Sequence, residues 1–398
     1  MTNDNKYIPA LRFPGFQNDG EWKMCKLSDI AVRKGKKNAK GIELPVYTNS
    51  ATHGVISQED YFDREIVTKD NLVNYGIIEP DDFVYNPRVS VAAPVGPISR
   101  NKLSRGIMSP LYLIFGFNSG DINFFEHYFK GNSWHNYLRA KANYGARFDR
   151  INIGTKEFMD MPIPYPSLAE QKKIADCLLS LDKYIDATKR KLELLNEHKK
   201  GLMQKLFPAK GKTLPELRFP EFQNDGEWVP RTLSDILNYE QPTQYIVEDD
   251  TYKKEGTPVL TANKGFILGY TDESFGIYSK TPVVIFDDFT TDKKYVDFSF
   301  KVKSSAIKLL TLKDKKRDNL RFIFECMNKI AFEEKEHKRY YISTYQHINI
   351  YVPSSLQEQN QIADTLLSVD EQIAEYDKKI KALELHKKGL MQQLFPKL

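Results

Sequence analysis

Leu168 to Leu206 reads LAEQKKIADCLLSLDKYIDATKRKLELLNEHKKGLMQKL, and a near copy from Leu356 to Leu394 reads LQEQNQIADTLLSVDEQIAEYDKKIKALELHKKGLMQQL. In the first, Ile174, Leu178, Leu181, Ile185, Thr188, Leu192, Leu195, Lys199, Leu202 and Leu206 fall at alternating steps of four and three, the seam of a coiled-coil helix. The second carries Ile362, Leu366, Val369, Ile373, Tyr376, Ile380, Leu383, Lys387, Leu390 and Leu394 at one constant offset, so that even the charged interruption Lys199 is copied as Lys387. Neither stretch contains proline, and Pro208 or Pro396 closes each. Such a helix is about 58 Å long at the usual rise. It is too charged to cross a membrane. An apolar stripe of this length must be covered, and the chain supplies a second of equal length and pattern, so the two are expected to pair within the chain. Packing on each helix's own domain, or pairing with another chain, is the alternative, and the pattern leaves the relative direction open.

A chain of 398 residues is expected to form more than one domain, and a 41% hydrophobic fraction is enough to build real cores. A net charge of +5 permits nucleic acid without demanding it. Cys25, Cys177 and Cys326 are scattered and odd in number, which argues against a disulfide framework and for a reducing cytoplasm. The opening MTNDNKYIPALRFPG is polar, so neither secretion nor membrane insertion is expected.

A second repeat precedes the first. Leu11 to Ile30 reads LRFPGFQNDGEWKMCKLSDI and Leu217 to Ile236 reads LRFPEFQNDGEWVPRTLSDI, a near identity rich in aromatic residues that suits a packing module used twice. The chain then divides into a first domain over 1–165 with its opener at 11–30, a central helix over 166–208, a linker over 209–216, a second domain over 217–352 with its opener at 217–236, and a C-terminal helix over 353–398. The regions between opener and helix barely resemble each other. Asp82 to Tyr85, Leu111 to Phe117 and Thr281 to Phe286 read as strands, and Asn123 to Arg139 and Asn319 to Lys338 as helices, which makes each region a mixed α/β domain and the whole an α+β fold with an internal two-fold repeat.

The search for catalytic chemistry comes back nearly empty. Lys210-Gly211-Lys212-Thr213 has the end of a phosphate-binding loop, but Leu206 stands where its first glycine belongs. Asn86-Pro87-Arg88 has part of the Asn-Pro-Pro-aromatic turn of amino-methyltransferases and lacks the second proline and the aromatic. Asp287, Asp292 and Lys294 crowd into one short stretch, where nuclease metal ligands usually come from separate strands. The seven histidines form no metal-ligand spacing.

Basic residues mixed with amides and aromatics do recur. Lys36, Lys37, Arg88, Asn143, Arg147 and Arg150 in the first region, and Lys293, Lys294, Lys338, Arg339, Tyr341 and Gln346 in the second, supply phosphate-neutralising charge beside groups that can bond base edges. A solvated charged face reads the same way cluster by cluster. The apolar residues Leu179, Met203, Leu367 and Met391 are copied off the seam and are candidates for docking a partner.

With the openers, the Pro-rich strand ends running into helix (MPIPYPSLAEQ and INIYVPSSLQEQ) and the twin endings HKKGLMQKLFP and HKKGLMQQLFP, essentially the whole chain resembles the DNA-specificity subunits of type I restriction-modification enzymes. The resemblance implies two target-recognition domains separated by two long helices in an antiparallel coiled coil, each reading half of a split, asymmetric target in double-stranded DNA. It also implies a non-catalytic chain that docks two methyltransferase subunits and two motor-nuclease restriction subunits. S-adenosylmethionine would then sit on the methyltransferase, ATP and Mg on the restriction partner, and no cofactor or metal on this chain. A stand-alone DNA-modifying enzyme and a coiled-coil structural adaptor are the competing readings.

Overall fold

The computed structural model describes residues 7–61, 69–142, 149–263, 265–333 and 338–396. It divides into two compact units, one formed by Met1–Lys189 with Lys378–Leu398 and the other by Arg190–Asp377. Each unit therefore contains part of both long helices, Leu168–Lys205 and Leu356–Leu394.

In the first unit the opener strand Lys23–Lys26 pairs antiparallel with Pro162–Tyr165, the strand that runs into the first long helix. Above this clasp lies an antiparallel sheet ordered Ala31–Arg33, Leu113–Phe117, Phe83–Tyr85, Ile98–Arg100. A second sheet is ordered Gly54–Ser57, Val46–Ser50, Gly106–Met108, Gly76–Ile78, with its middle pair parallel. The other unit repeats this plan despite the divergent sequence. Val229–Thr232 pairs with Asn349–Val352. Its antiparallel sheet is ordered Leu237–Glu240, Ile307–Leu312, Val283–Asp287, Lys293–Val296. Its second sheet has three strands, Ile267–Thr271, Thr257–Leu260 and Lys301–Val302, the last two parallel.

Every seam position is buried or half-buried and none is exposed. Direction is settled inside each unit. In the first, Asp182 pairs with Lys387 and Lys189 with Glu384 (2.6 Å), so one number falls as the other rises and the helices run antiparallel. In the second, Lys199 reaches Asp370 at 2.6 Å. The copied lysine of the heptad is thus one half of a copied ion pair, its partners being the matching aspartates of the two repeats. Each core joins the start of one long helix to the end of the other: Ile174 and Leu178 with Leu394 and Phe395, and Ile362 and Leu366 with Leu206 and Phe207. Leu11 N–H donates to the Gln393 carbonyl and Leu217 N–H to that of Lys205, both at 2.9 Å. Trp22 meets Phe395 edge-on, as Trp228 meets Phe207. The architecture is α+β with an internal two-fold repeat: two mixed α/β units, each completed by antiparallel stretches of the same two helices.

Two expected helices are shorter than the pattern suggests. The stretch from Asn123 to Arg139 is two helices, Ile122–Lys130 and His135–Lys141, parted at Gly131-Asn132-Ser133. The one from Asn319 is helical over Leu320–Asn328 and not over 330–333, while 334–337 of the expected helix lie outside the described residues. Both begin on a side-chain cap, Asp121 or Asn319.

Candidate nucleic-acid interface

Asn86 ends the central strand of the first antiparallel sheet, and its Oδ1 accepts from Arg88 N–H at 3.0 Å. This Asx turn starts the loop that joins Phe83–Tyr85 to Ile98–Arg100. The loop is tied to the segment before the clasp, because Val89 N–H donates to Asp149 O at 3.0 Å and Ile151 N–H to Pro87 O at 2.9 Å. Arg88 and Arg150 consequently face each other in a β-bridge, both exposed. Beneath them, Asn86 Nδ2 donates to Asn49 O at 2.9 Å, and Asn49 Nδ2 to Val84 O at 2.9 Å.

The same place in the second unit has the same outline. Asp287 ends the central strand, and its Oδ1 accepts from Phe289 N–H at 2.9 Å and Thr290 N–H at 3.0 Å. Tyr340 N–H donates to Asp288 O at 2.8 Å, as Ile151 does to Pro87. Arg339, exposed, stacks its guanidinium 5.8 Å from the centre of the Phe289 ring. Support from below differs, for the buried Asp288 carboxylate accepts from Tyr341 N–H at 2.7 Å and pairs with the buried Lys308 ammonium at 3.0 Å. The segments that invited a methyltransferase or nuclease reading, Asn86-Pro87-Arg88 and Asp287 to Lys294, are therefore matching turns. Among the described residues no group of three His, Cys, Asp or Glu is placed to hold a metal.

The structure thus gathers Arg88 with Arg150, and Arg339 with Lys338, whose ammonium lies 5.9 Å from the Tyr340 ring. Lys36 and Lys37 are exposed on another segment, bonded to Gly76 and Ile77 at the edge of the second sheet. Asn143 and Arg147 lie outside the described residues. One candidate needs correction. Tyr341 is a core residue, fully buried against Phe286 and Tyr239, and offers nothing to a ligand. Lys293 is half-buried, donates to Thr291 O at 3.3 Å and lies 5.6 Å from the Tyr345 ring, and burial lowers its pKa. Gln346 is half-buried and spends its amide on Ile342 O at 2.8 Å. Lys294, also half-buried, lies on the strand beside Lys293. Of the docking candidates, Met203 and Met391 pack partly against the two cores and Leu179 is half-buried, whereas Leu367 is exposed.

Sequence reasoning missed the residues that seat each domain on its helix. Arg12 makes a two-pronged bond to Glu170 at 2.7 and 2.8 Å, and Arg218 one to Glu358 at 2.8 and 2.7 Å, all four side chains nearly buried. Next along each helix, Gln171 Oε1 accepts from Asp121 N–H at 2.8 Å and Gln359 Oε1 from Asn319 N–H at 2.9 Å. The signal was available: a charged or amide residue copied between repeats at a position no seam requires.

A family model, the type I restriction modification DNA specificity domain, matches this chain twice, over residues 19–197 and 225–385. The specificity subunit of the type I restriction enzyme EcoR124I/EcoR124II from Escherichia coli is 47% identical over 148 residues, 35% of this chain and 36% of that subunit. A putative type I restriction enzyme MjaX specificity subunit from Methanocaldococcus jannaschii is 28% identical over 171 residues, 40% of this chain and 37% of that protein. The chain thus matches little more than a third of the length of these two relatives. The MjaVIII specificity subunit of the same organism aligns over 98% of this chain and 94% of its own length at 24% identity. Among solved structures, the type I restriction-modification system S subunit from M. genitalium superposes with a TM-score of 0.65 at 14% identity, covering 98% of this chain and 99% of that one, a likeness of fold.

Proposed function

The chain belongs to the type I restriction-modification DNA specificity family, and on that premise we propose that it is the non-catalytic subunit that reads a split, asymmetric DNA target for a methyltransferase and a restriction nuclease. One observation carries the reading: at the matching hairpin turn of each unit, exposed arginines gather, Arg88 of the first hairpin bridged to Arg150 of the segment before the clasp, and Arg339 of the corresponding segment stacked on Phe289 of the second hairpin, while the surrounding residues differ. A target with two unlike halves calls for that arrangement. Guanidinium groups serve both phosphate contact and paired bonding to guanine edges, so each hairpin can position and specify.

In this reading two methyltransferase subunits, carrying S-adenosylmethionine, and two restriction subunits, carrying ATP and Mg, assemble on the chain in the cytoplasm. Leu367, exposed on the second long helix, is the docking candidate whose side chain stays most accessible. No helix among the described residues is long and apolar enough to cross a membrane, which accords with work on DNA.

The test is to incubate the purified chain with genomic DNA and S-adenosylmethionine, with and without the methyltransferase subunit, and to map methylated bases. Methylation at one bipartite sequence is expected only with both proteins. Methylation by this chain alone would make it an enzyme, and no sequence-dependent methylation in either arm would leave it an adaptor. Replacing 31–165 with the matching region of another such chain is expected to change one half-site and leave the other.

A further inference from the structure

We propose that Val91 reads the C5 methyl group of a thymine in the half-site recognised by the first unit. The inference rests on the function proposed above. Val91 is fully exposed and Ala92 beside it is exposed. Single exposed apolar residues are ordinary, so exposure alone decides nothing. The geometry around this one points further.

Val91 and Ala92 occupy the apex of a tight turn. Ser90 N–H donates to Ala93 O at 3.0 Å, and Ala93 N–H returns to Ser90 O at 3.2 Å and to Ser90 Oγ at 3.1 Å. The stem below is stiff, with Pro87, Pro94 and Pro97 fixing the backbone. Val95 is buried, and its carbonyl accepts from the Tyr85 hydroxyl at 2.9 Å. Gly96, at φ +81°, sits where a Cβ would run into the Asn86 carbonyl, so the return of the loop requires glycine. Arg88 and Arg150 flank the base of this projection. The result is a firmly held two-residue apolar tip, three residues along the chain from the Arg88–Arg150 bridge.

The major groove of B-DNA admits a two-stranded ribbon, and the thymine methyl is the apolar feature of its floor. Arginines at the base of the hairpin can meet phosphates or guanines, while a small apolar side chain at the tip discriminates between bases on the groove floor by meeting the thymine methyl. The matching hairpin of the second unit is shorter and has no fully exposed apolar residue at its turn, Phe289 being half-buried and Thr291 buried, so the proposal concerns the first half-site.

The experiment uses the chain assembled with its methyltransferase subunit, on the target found by methylated-base mapping. Each thymine of the first-unit half-site is replaced in turn by deoxyuridine, which removes only the methyl group, and binding is measured for the native chain and for Val91→Ser and Val91→Ala. At one position the native complex is expected to lose about fourfold in affinity, the worth of one buried methyl, Val91→Ala to lose less, since its own methyl still meets part of the thymine, and Val91→Ser to lose nothing there. A half-site without thymine, or a uracil effect the same in the native chain and both variants, overturns the proposal. So does a loss on Val91→Ser that is equal for every duplex, the behaviour of a wedge or a mere space-filler. Absence of any sequence-specific methylation would instead sink the function on which this rests. Val91 touches no core residue, so the variants are expected to fold.

Discussion

The two units agree where they meet the long helices and disagree where they face outward. Arg12–Glu170 and Arg218–Glu358, Gln171 and Gln359, and the Asp182–Lys387 and Asp370–Lys199 pairs are copies in both residue and contact. The hairpins share a backbone and the carboxyl or amide oxygen that opens the turn, but not their support: amides of Asn49 and Asn86 hold the first, and a buried Asp288–Lys308 ion pair the second. The difference teaches that identity is kept where a charge must find one specific partner at fixed distance. Beneath a hairpin, any residue that satisfies the same backbone groups serves.

The comparison is most exposed at the copied arginine–glutamate pairs. Glu358→Ala strands a buried guanidinium and is expected to lower the stability of its unit by about 4 kcal/mol. It also removes the acceptor of Trp228 Nε1, at 3.2 Å, whereas Trp22 Nε1 has no partner among the described residues. Glu170→Ala should therefore cost about 1 kcal/mol less. Hydrogen exchange resolved by unit would report both, and equal losses would remove the asymmetry.

Lys308→Met leaves the Asp288 carboxylate buried without its cation, a loss of about 3 kcal/mol confined to the second unit. Adding Asp288→Asn keeps an acceptor for Tyr341 N–H and is expected to recover most of it. A double variant no better than the single one, in the same measurement, would show that the ion pair is not what holds the hairpin.

Acid should separate the units. His127 is buried with neither ring nitrogen bonded among the described residues, and burial pushes its pKa down to about 4, with Lys130 and Lys387 adding to the shift and Asp182 and Glu126 opposing it. Counted from the caps Asp121 and Asn319, its place in the second unit is taken by Glu325, which bonds Arg321 and Asn328. A neutral buried imidazole contributes stability above its unfolded pKa, near 6.5, that is lost as pH falls toward the folded value. The first unit is expected to lose about 2 kcal/mol between pH 7 and pH 5 from this group. His127→Leu should abolish that loss; an unchanged slope in pH-dependent exchange would assign it elsewhere.

The smallest expected effect is at the turn itself. Asn86→Ala removes the bond to Arg88 N–H and the donor to Asn49 O, about 1 kcal/mol and a looser first hairpin. Its readout is exchange at Arg88 and Val89 against no change in the second unit.

Much of this was legible in the chain. The heptad spacing found the helices because a seam repeated over ten positions has no other use, and Lys199 and Lys387 stood out as interruptions even though their aspartate partners, one strip off the seam, did not. The arginines gathered at the two turns were found by composition, but the same mixture also drew in Tyr341, which the core claims. Tyr341 and Tyr345 stand four apart, an apolar spacing hidden among polar neighbours. Composition cannot separate a basic residue on a loop from one like Lys293 whose stem is packed on a ring. The repeat of two mixed α/β domains was legible from openers and helices, but their common strand order was not, since the residues that build it satisfy backbone and core in two different ways.

Leu11 takes from the end of the second long helix the same hydrogen bond that Leu217 takes from the end of the first. In the second unit the chain through 209–216 links that helix end to its opener directly, whereas in the first unit the two segments come from opposite ends of the numbering. An opener therefore reaches the helix end that completes its core by chain continuity in one unit and from nearly four hundred residues away in the other, and the contact is the same either way.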